Sequence, residues 1–182
     1  MKKFYLTLAA LCCCVALSAT TYTSHLKVTV NDNVAEQEEI PVVIVEENGY
    51  YTLTLKNFVL VQEDVPLPVG NIEVSGVIGH DEYGYTTIRY VQPITITAGD
   101  DPSVGGEDAW LGPLLGEVPI DMTARFTKTA LDANIDINLE AMGQIIGVSI
   151  FGVVPVVEGD VNGDNDVNIT DVNKVIDIIL TN

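Results

Sequence analysis

Apolar and polar residues alternate along most of the chain from residue 22 to residue 157. A period of two is typical of β-strands that bury one face and expose the other. The clearest examples are segments 26–30, 53–55, 94–96 and 135–139. The pattern predicts about ten short strands and no helix in this region, as in an antiparallel sandwich or a closed barrel.

Glycine and proline mark the predicted breaks between strands. Asn48-Gly49 predicts a hairpin turn, residues 66–70 a loop, and residues 81–84 another turn. Residues 99–119 form a longer break, with five Gly, three Pro and the only Trp. Long irregular segments in compact domains often act as lids or plugs. Two interpretations stay open: an aromatic plug that completes the core, or a lid over a ligand formed by Trp110, Leu111 and Leu114.

The last part of the chain changes to a helical period. Val172, Val175, Ile176 and Ile179 fall at i, i+3, i+4 and i+7, which predicts one apolar stripe on a helix. Asn168 is placed to cap the start of this helix, and Asp171 follows three residues later as the acidic partner of a capping box.

Twelve residues before and within this helix, 160–171, have the oxygen spacing of a calcium loop. Position 6 is Asn165 instead of Gly, which is tolerable because Asn adopts left-handed conformations readily. Position 12 is an aspartate, one methylene shorter than the usual Glu. The predicted Ca²⁺ ligands are the side chains of Asp160, Asn162, Asp164 and Asp171, the backbone carbonyl of Asp166, and Asn168 through water.

The N-terminus has the pattern of an export signal. Lys2 and Lys3 precede the apolar run 4–17, and small residues follow it. We therefore expect a signal peptide over 1–19, a β domain over 20–155, and a calcium-binding segment over 156–182. All three cysteines lie in the signal region, so lipid attachment is the alternative to a soluble secreted or cell-surface protein (periplasm or outer membrane).

The net charge of the chain limits the classes of partner that it can bind. The chain carries a formal net charge of −18, and loss of Lys2 and Lys3 leaves six basic residues against 26 acidic ones, or −20. Such a chain repels nucleic acid, which we therefore exclude as a partner.

Residues 159–180 resemble a single repeat of a type I dockerin, the module that docks carbohydrate-active proteins onto cohesin domains. The resemblance implies calcium binding and a cohesin-like or other protein partner, with Ile169 and Thr170 at the partner-reading positions. Dockerins have two repeats, and this sequence shows one. The apolar stripe must therefore be covered by the preceding domain, by a second copy of the chain, or by another protein.

The body of the chain resembles the calycin-like (lipocalin-like) domain of secreted and outer-membrane Bacteroidetes proteins. The matching segments are 51–58, 68–72, 110–113, 115–119 and 135–137. The resemblance implies an up-and-down β-barrel of about eight strands. Barrels of this class often hold small apolar molecules in their mouths.

The sequence shows no catalytic constellation, and His25 and His80 are expected at the surface. We therefore expect a non-enzymatic secreted or cell-surface module whose calcium-binding tail makes protein contacts. The alternative is a small-molecule carrier with the tail as an anchor. A weaker alternative is that the protein is a member of, or an accessory to, a glycan-degrading enzyme system. The residues that face the inside of the barrel distinguish the contact module from the small-molecule carrier. Bulky aliphatic side chains there would fill the barrel and leave no ligand cavity.

Overall fold

One antiparallel sheet dominates the computed structural model, which describes residues 18–62, 65–139, 143–155, 159–161 and 167–181. Its strand order is β4-β3-β2-β1-β9-β8-β7-β6-β5. The strands are β1 (Ser18–Val30), β2 (Asn33–Glu47), β3 (Tyr50–Gln62), β4 (Val65–Ile78), β5 (His80–Glu82), β6 (Tyr85–Thr95), β7 (Glu117–Phe126), β8 (Ala130–Leu139) and β9 (Gln144–Val153).

The order of the strands is that of an up-and-down barrel, because all consecutive strands except β4 and β5 pair with each other and β1 pairs with β9. The described residues contain nine strands, not about eight. The additional strand is the three-residue β5, which follows β4 after Gly79. A Cβ at Gly79 would collide with the ring of Tyr51, so the chain can pass this point only without a side chain.

The sheet curls until its two ends approach each other. In the described part of the chain, β4 and the residues just after β6 share one isolated bridge, in which the Asn71 nitrogen donates to Thr97 O at 2.8 Å and the Thr97 nitrogen to Asn71 O at 3.2 Å. The result is a curled half-barrel whose inner face encloses the core.

Alternation places the aliphatic residues on that inner face. Leu26, Leu53, Met122 and Ile150 are fully buried there. Complete burial of a side chain of this size contributes about 1.5–3 kcal/mol. The four segments with the clearest alternation all fall on or directly beside strands, which confirms the prediction of an all-β body.

One predicted break is wrong, and another is shorter than predicted. Residues 66–70 belong to β4, where Pro66 and Pro68 lie opposite Val61 and Val59. Proline is tolerated there because β4 ends the sheet, so its outer edge needs few backbone donors. The turn predicted at 81–84 is confined to Tyr83 and Gly84, since the two residues before it belong to β5. The Asn48-Gly49 turn is confirmed between β2 and β3.

Helices are few and short. The body contains a 3₁₀ helix over Glu107–Ala109 and a single-turn helix α1 over Gly112–Leu115, where no helix is predicted. Helix α2 covers Ile169–Thr181, as the periodicity predicts. None of the helices in the described segments has the length and apolar character needed to cross a membrane.

Candidate functional site

The C-terminal helix begins at a reciprocal set of hydrogen bonds. The backbone nitrogen of Thr170 donates to Asn168 Oδ1 at 2.8 Å, and the backbone nitrogen of Asn168 donates to Asp171 Oδ2 at 2.8 Å. Each bond satisfies a donor that the helix itself leaves without a partner. The predicted capping box is therefore confirmed.

The same aspartate also holds the start of the predicted calcium loop. Asp171 is only 3% exposed, and its second oxygen, Oδ1, accepts a hydrogen bond from the backbone nitrogen of Val161 at 2.8 Å. A buried carboxylate is costly unless hydrogen bonds compensate it. One side chain therefore connects residue 161, at the loop's start, with residue 168, near its end.

The predicted metal ligands are only partly within the described residues. Asn162, Asp164 and Asp166 lie outside them, whereas Asp160, Asn168 and Asp171 lie inside. Among the residues that can be described, no three His, Cys, Asp or Glu side chains are grouped as a metal site. The donor set fits calcium in its chemistry, because carboxylate, amide and carbonyl oxygens are what this cation prefers. The calcium site stays a prediction.

The predicted contact residues of helix α2 lie at the surface. Ile169, Thr170 and all four residues of the apolar stripe are exposed, with Ile179 at 68%. The described part of the β domain therefore does not cover the stripe. The sequence leaves three ways to cover the stripe: the preceding domain, a second copy of the chain, or another protein. The first, packing against the β domain, is not seen in the described residues.

The long break over residues 99–116 covers one end of the curled sheet. Trp110 is 1% exposed, and the neighbouring Leu111 nitrogen donates to Pro68 O on β4 at 2.8 Å. Leu111 and Leu114 face the solvent, the latter at 76% exposure. Only Trp110 of the three candidates thus points inward, and a Cβ at Gly99 would collide with its ring.

The interior of the sheet is filled. Its enclosed cavity measures about 50 Å³ and is lined by 13 apolar residues, among them Leu55, Phe58 and Ile135. Ligand pockets commonly measure about 300–1,000 Å³. Bulky aliphatic side chains therefore occupy the space in which a carrier barrel would hold its ligand.

Sequence reasoning missed a larger cavity at the opposite end of the sheet. It measures about 600 Å³, and the inward-facing residues Tyr51, Phe126 and Glu46 contribute to its lining. One signal could have revealed it, because the alternation of β2 continues from Val42 and Ile44 to Glu46. The period therefore places a carboxylate on the inner face.

Comparison with solved structures gives one match in fold. A protein of Bacteroides fragilis NCTC 9343, provisionally described as an outer membrane protein, superimposes with a TM-score of 0.51 at 16% sequence identity. The match covers 74% of this chain and 50% of the other, so this chain spans about half the length of its structural neighbour. At this identity the similarity shows the fold alone. No curated protein matches the sequence.

Comparison with protein families gives the identity of the β domain. The profile of the calycin-like beta-barrel domain matches residues 19–152, which is nearly the whole span of the sheet. The match ends before the dockerin-like residues 159–180, whose resemblance stays a prediction. By the match and the fold together, the chain belongs to the family of calycin-like β-barrel domains.

Proposed function

We propose that this protein is a non-enzymatic secreted or cell-surface module that uses a calcium-ordered C-terminal segment to contact another protein. The observation that carries the proposal is the double role of Asp171. Its buried carboxylate joins the start of the predicted calcium loop to the first turn of helix α2, whose apolar stripe is exposed.

Calcium acts through the loop on the helix. The loop carboxylates, crowded in a chain of net charge −18, repel one another when no cation is bound. A bound cation compensates this repulsion and fixes the loop ends to which Asp171 is hydrogen-bonded. Asp160, Asn168 and Asp171 hold the cation together with the ligands at positions 162, 164 and 166. The helix then presents its stripe in one orientation.

The exposed stripe is the contact surface. Val172, Val175, Ile176 and Ile179 each leave apolar area in water, and covering that area contributes about 25 cal/mol per Å². A protein partner, cohesin-like or of another kind, gains this free energy on binding. The polar residues between them, such as Lys174 and Asp177, set its orientation.

Two observations support a location at the cell surface. The N-terminus has the sequence pattern of an export signal, and the structural neighbour from Bacteroides fragilis is described as an outer membrane protein. The filled interior argues against the alternative in which the barrel carries a ligand at its centre.

Calorimetry tests the calcium site. We expect protein stripped of metal to bind Ca²⁺ with a dissociation constant of about 0.1–1 mM, as in extracellular modules, and to gain helical circular dichroism. Asp160→Ala should remove this binding. Asp177→Ala is the matched control, because it deletes the same charge from the exposed part of helix α2. Absence of binding heat and of any spectral change in the unaltered protein would refute the site.

A second experiment tests the stripe. Ile176→Asp places a charge in the stripe, whereas Asn173→Asp places the same charge on an exposed polar position of the helix. We expect only the former to change the molar mass measured by light scattering in calcium, or to abolish capture of a partner identified with the unaltered protein. If both variants behave like the unaltered protein in both measurements, the stripe is not a contact surface.

A further inference from the structure

Among the described residues, the end of the sheet opposite Trp110 forms an open cup, which we define by the residues that line its cavity of about 600 Å³. Aromatic rings make its floor. The rings of Tyr51 and Phe126 lie edge to face, with centroids 5.2 Å apart and planes at 68°. The cup is lined by Ser18 of the predicted signal segment and by the residues of the β domain Thr20, Tyr22, Ile44, Glu46, Tyr51, Asp81, Gly84, Tyr85, Thr86, Phe126, Thr127, Lys128 and Thr129.

The floor is held in place before any ligand arrives. Tyr22 is buried, and its hydroxyl donates to the carbonyl of Thr127 at 2.6 Å. Tyr51 packs so closely on Gly79 that the glycine has no room for a Cβ. A fixed floor favours binding, because little conformational entropy is lost when the ligand contacts it.

Acidic side chains lie on two different strands of the rim. Glu46 is half-buried on the inner face of β2, where it lies opposite Tyr51 of β3. Asp81 is on β5. The basic residue of the rim, Lys128, is exposed in the turn between β7 and β8. The side chains of the cup therefore supply two carboxylates against one ammonium group.

We propose that the cup binds a small organic cation with an apolar body, such as a quaternary or aromatic amine. The negative faces of aromatic rings attract a cation, and this attraction contributes most in a partly desolvated site. Glu46 and Asp81 add direct charge complementarity. The net charge of −18 raises the local concentration of cations at an acidic cleft.

Other small molecules fit this lining less well. An anion would meet two carboxylates and the negative field of the whole chain. A purely apolar molecule would cover carboxylates and hydroxyls without offering them partners, which is unfavourable. A cation with an apolar body satisfies the rim and the floor together.

The test uses benzyltrimethylammonium as the probe, with benzyl alcohol and phenylacetate as neutral and anionic comparisons. We expect the cation to shift the ring resonances of Tyr51 and Phe126 in nuclear magnetic resonance titrations, and to bind at least about tenfold more tightly than either comparison. A tenfold ratio is a lower bound, because one close pair of unit charges near a protein surface contributes more than this. Equal binding of the neutral and cationic probes would overturn the proposal.

Two variants of adjacent residues complete the test. Glu46→Gln removes an inward-facing charge, and Glu47→Gln removes the same charge from the exposed residue beside it. Neither substitution changes side-chain size appreciably, so both variants should fold. We expect Glu46→Gln to weaken binding about tenfold and Glu47→Gln to weaken it less than about twofold. Equal effects would show that only the general field of the chain attracts the cation, and would refute the cup as the site.

Discussion

The two ends of the curled sheet are made from the same alternating strands, but in the described residues an additional segment covers only one of them. At one end the segment 99–116 covers the core with Trp110 and attaches to β4 through the Leu111 nitrogen. At the other end the inward-facing residues change from aliphatic to aromatic and then to polar, and a cavity of about 600 Å³ stays open.

The difference shows that strand alternation alone does not close an end of the sheet. Closure requires an added segment with a large apolar side chain, and only one end has it among the described residues. At the open end, Glu46 and Thr20 continue the inward face of β2 and β1 as polar groups that tolerate water. The closed end therefore serves stability, and the open end is available for binding.

Replacement of Trp110 should have the largest effect on this comparison. Trp110→Ala removes a buried ring, and we expect a loss of about 3–5 kcal/mol in the free energy of unfolding. The loss is reduced to some degree because the indole nitrogen finds no hydrogen-bond partner in the described structure. Urea denaturation followed by tyrosine fluorescence or circular dichroism measures the change.

Leu114→Ala is the matched control, because Leu114 belongs to the same segment and is exposed. We expect it to change the free energy of unfolding by less than about 0.5 kcal/mol. Similar losses for the two variants would mean that Trp110 does not close the sheet, and the contrast between the two ends would fail.

The sequence predicted the body of the fold through its period-two pattern, because half-buried strands must alternate. Residues 66–70 misled the prediction, since the prolines there suggest a loop unless β4 is known to end the sheet. The short β5 was missed because three exposed residues carry no alternation. The first error concerns the order of strands in space, which a local pattern does not contain, and the second concerns a strand too short to show a period.

The site residues were predictable to different extents. The capping box of Asn168 and Asp171 follows from spacing alone, because all its atoms lie within one helical turn. The hydrogen bond from Val161 to Asp171 joins residues ten positions apart and required the structure. The open cup collects residues from β1, β2, β3, β5, β6 and β7, so the alternation of β2 could reveal its inward carboxylate, whereas the rest of its lining required the structure.

At the open end, removal of one hydroxyl should have a smaller effect. Tyr22→Phe deletes the hydrogen bond to the carbonyl of Thr127, and we expect a loss of about 0.5–1.5 kcal/mol at neutral pH. The ring itself stays in place, so the floor of the cup is kept. A loss as large as that of Trp110→Ala would contradict the view that only the closed end limits stability.

The pH dependence of the stability of Tyr22→Phe tests whether the Tyr22 hydroxyl is shielded from water. Burial raises the pKa of Tyr22 above its ordinary value of 10.0, and a hydrogen bond with the Thr20 side chain partly opposes this. Since the folded-state pKa exceeds the unfolded one, the stability linked to the neutral phenol is complete below pH 10.0 and is lost as the pH rises through the folded-state pKa. The phenylalanine variant lacks this ionisation. We therefore expect the difference in the free energy of unfolding between the unaltered protein and Tyr22→Phe to shrink above about pH 10 in parallel urea titrations. Only the difference between the two stability curves reports Tyr22. A constant difference across this range would mean that the hydroxyl reaches water freely, and the floor of the cup would then be more open than its hydrogen bond to Thr127 indicates.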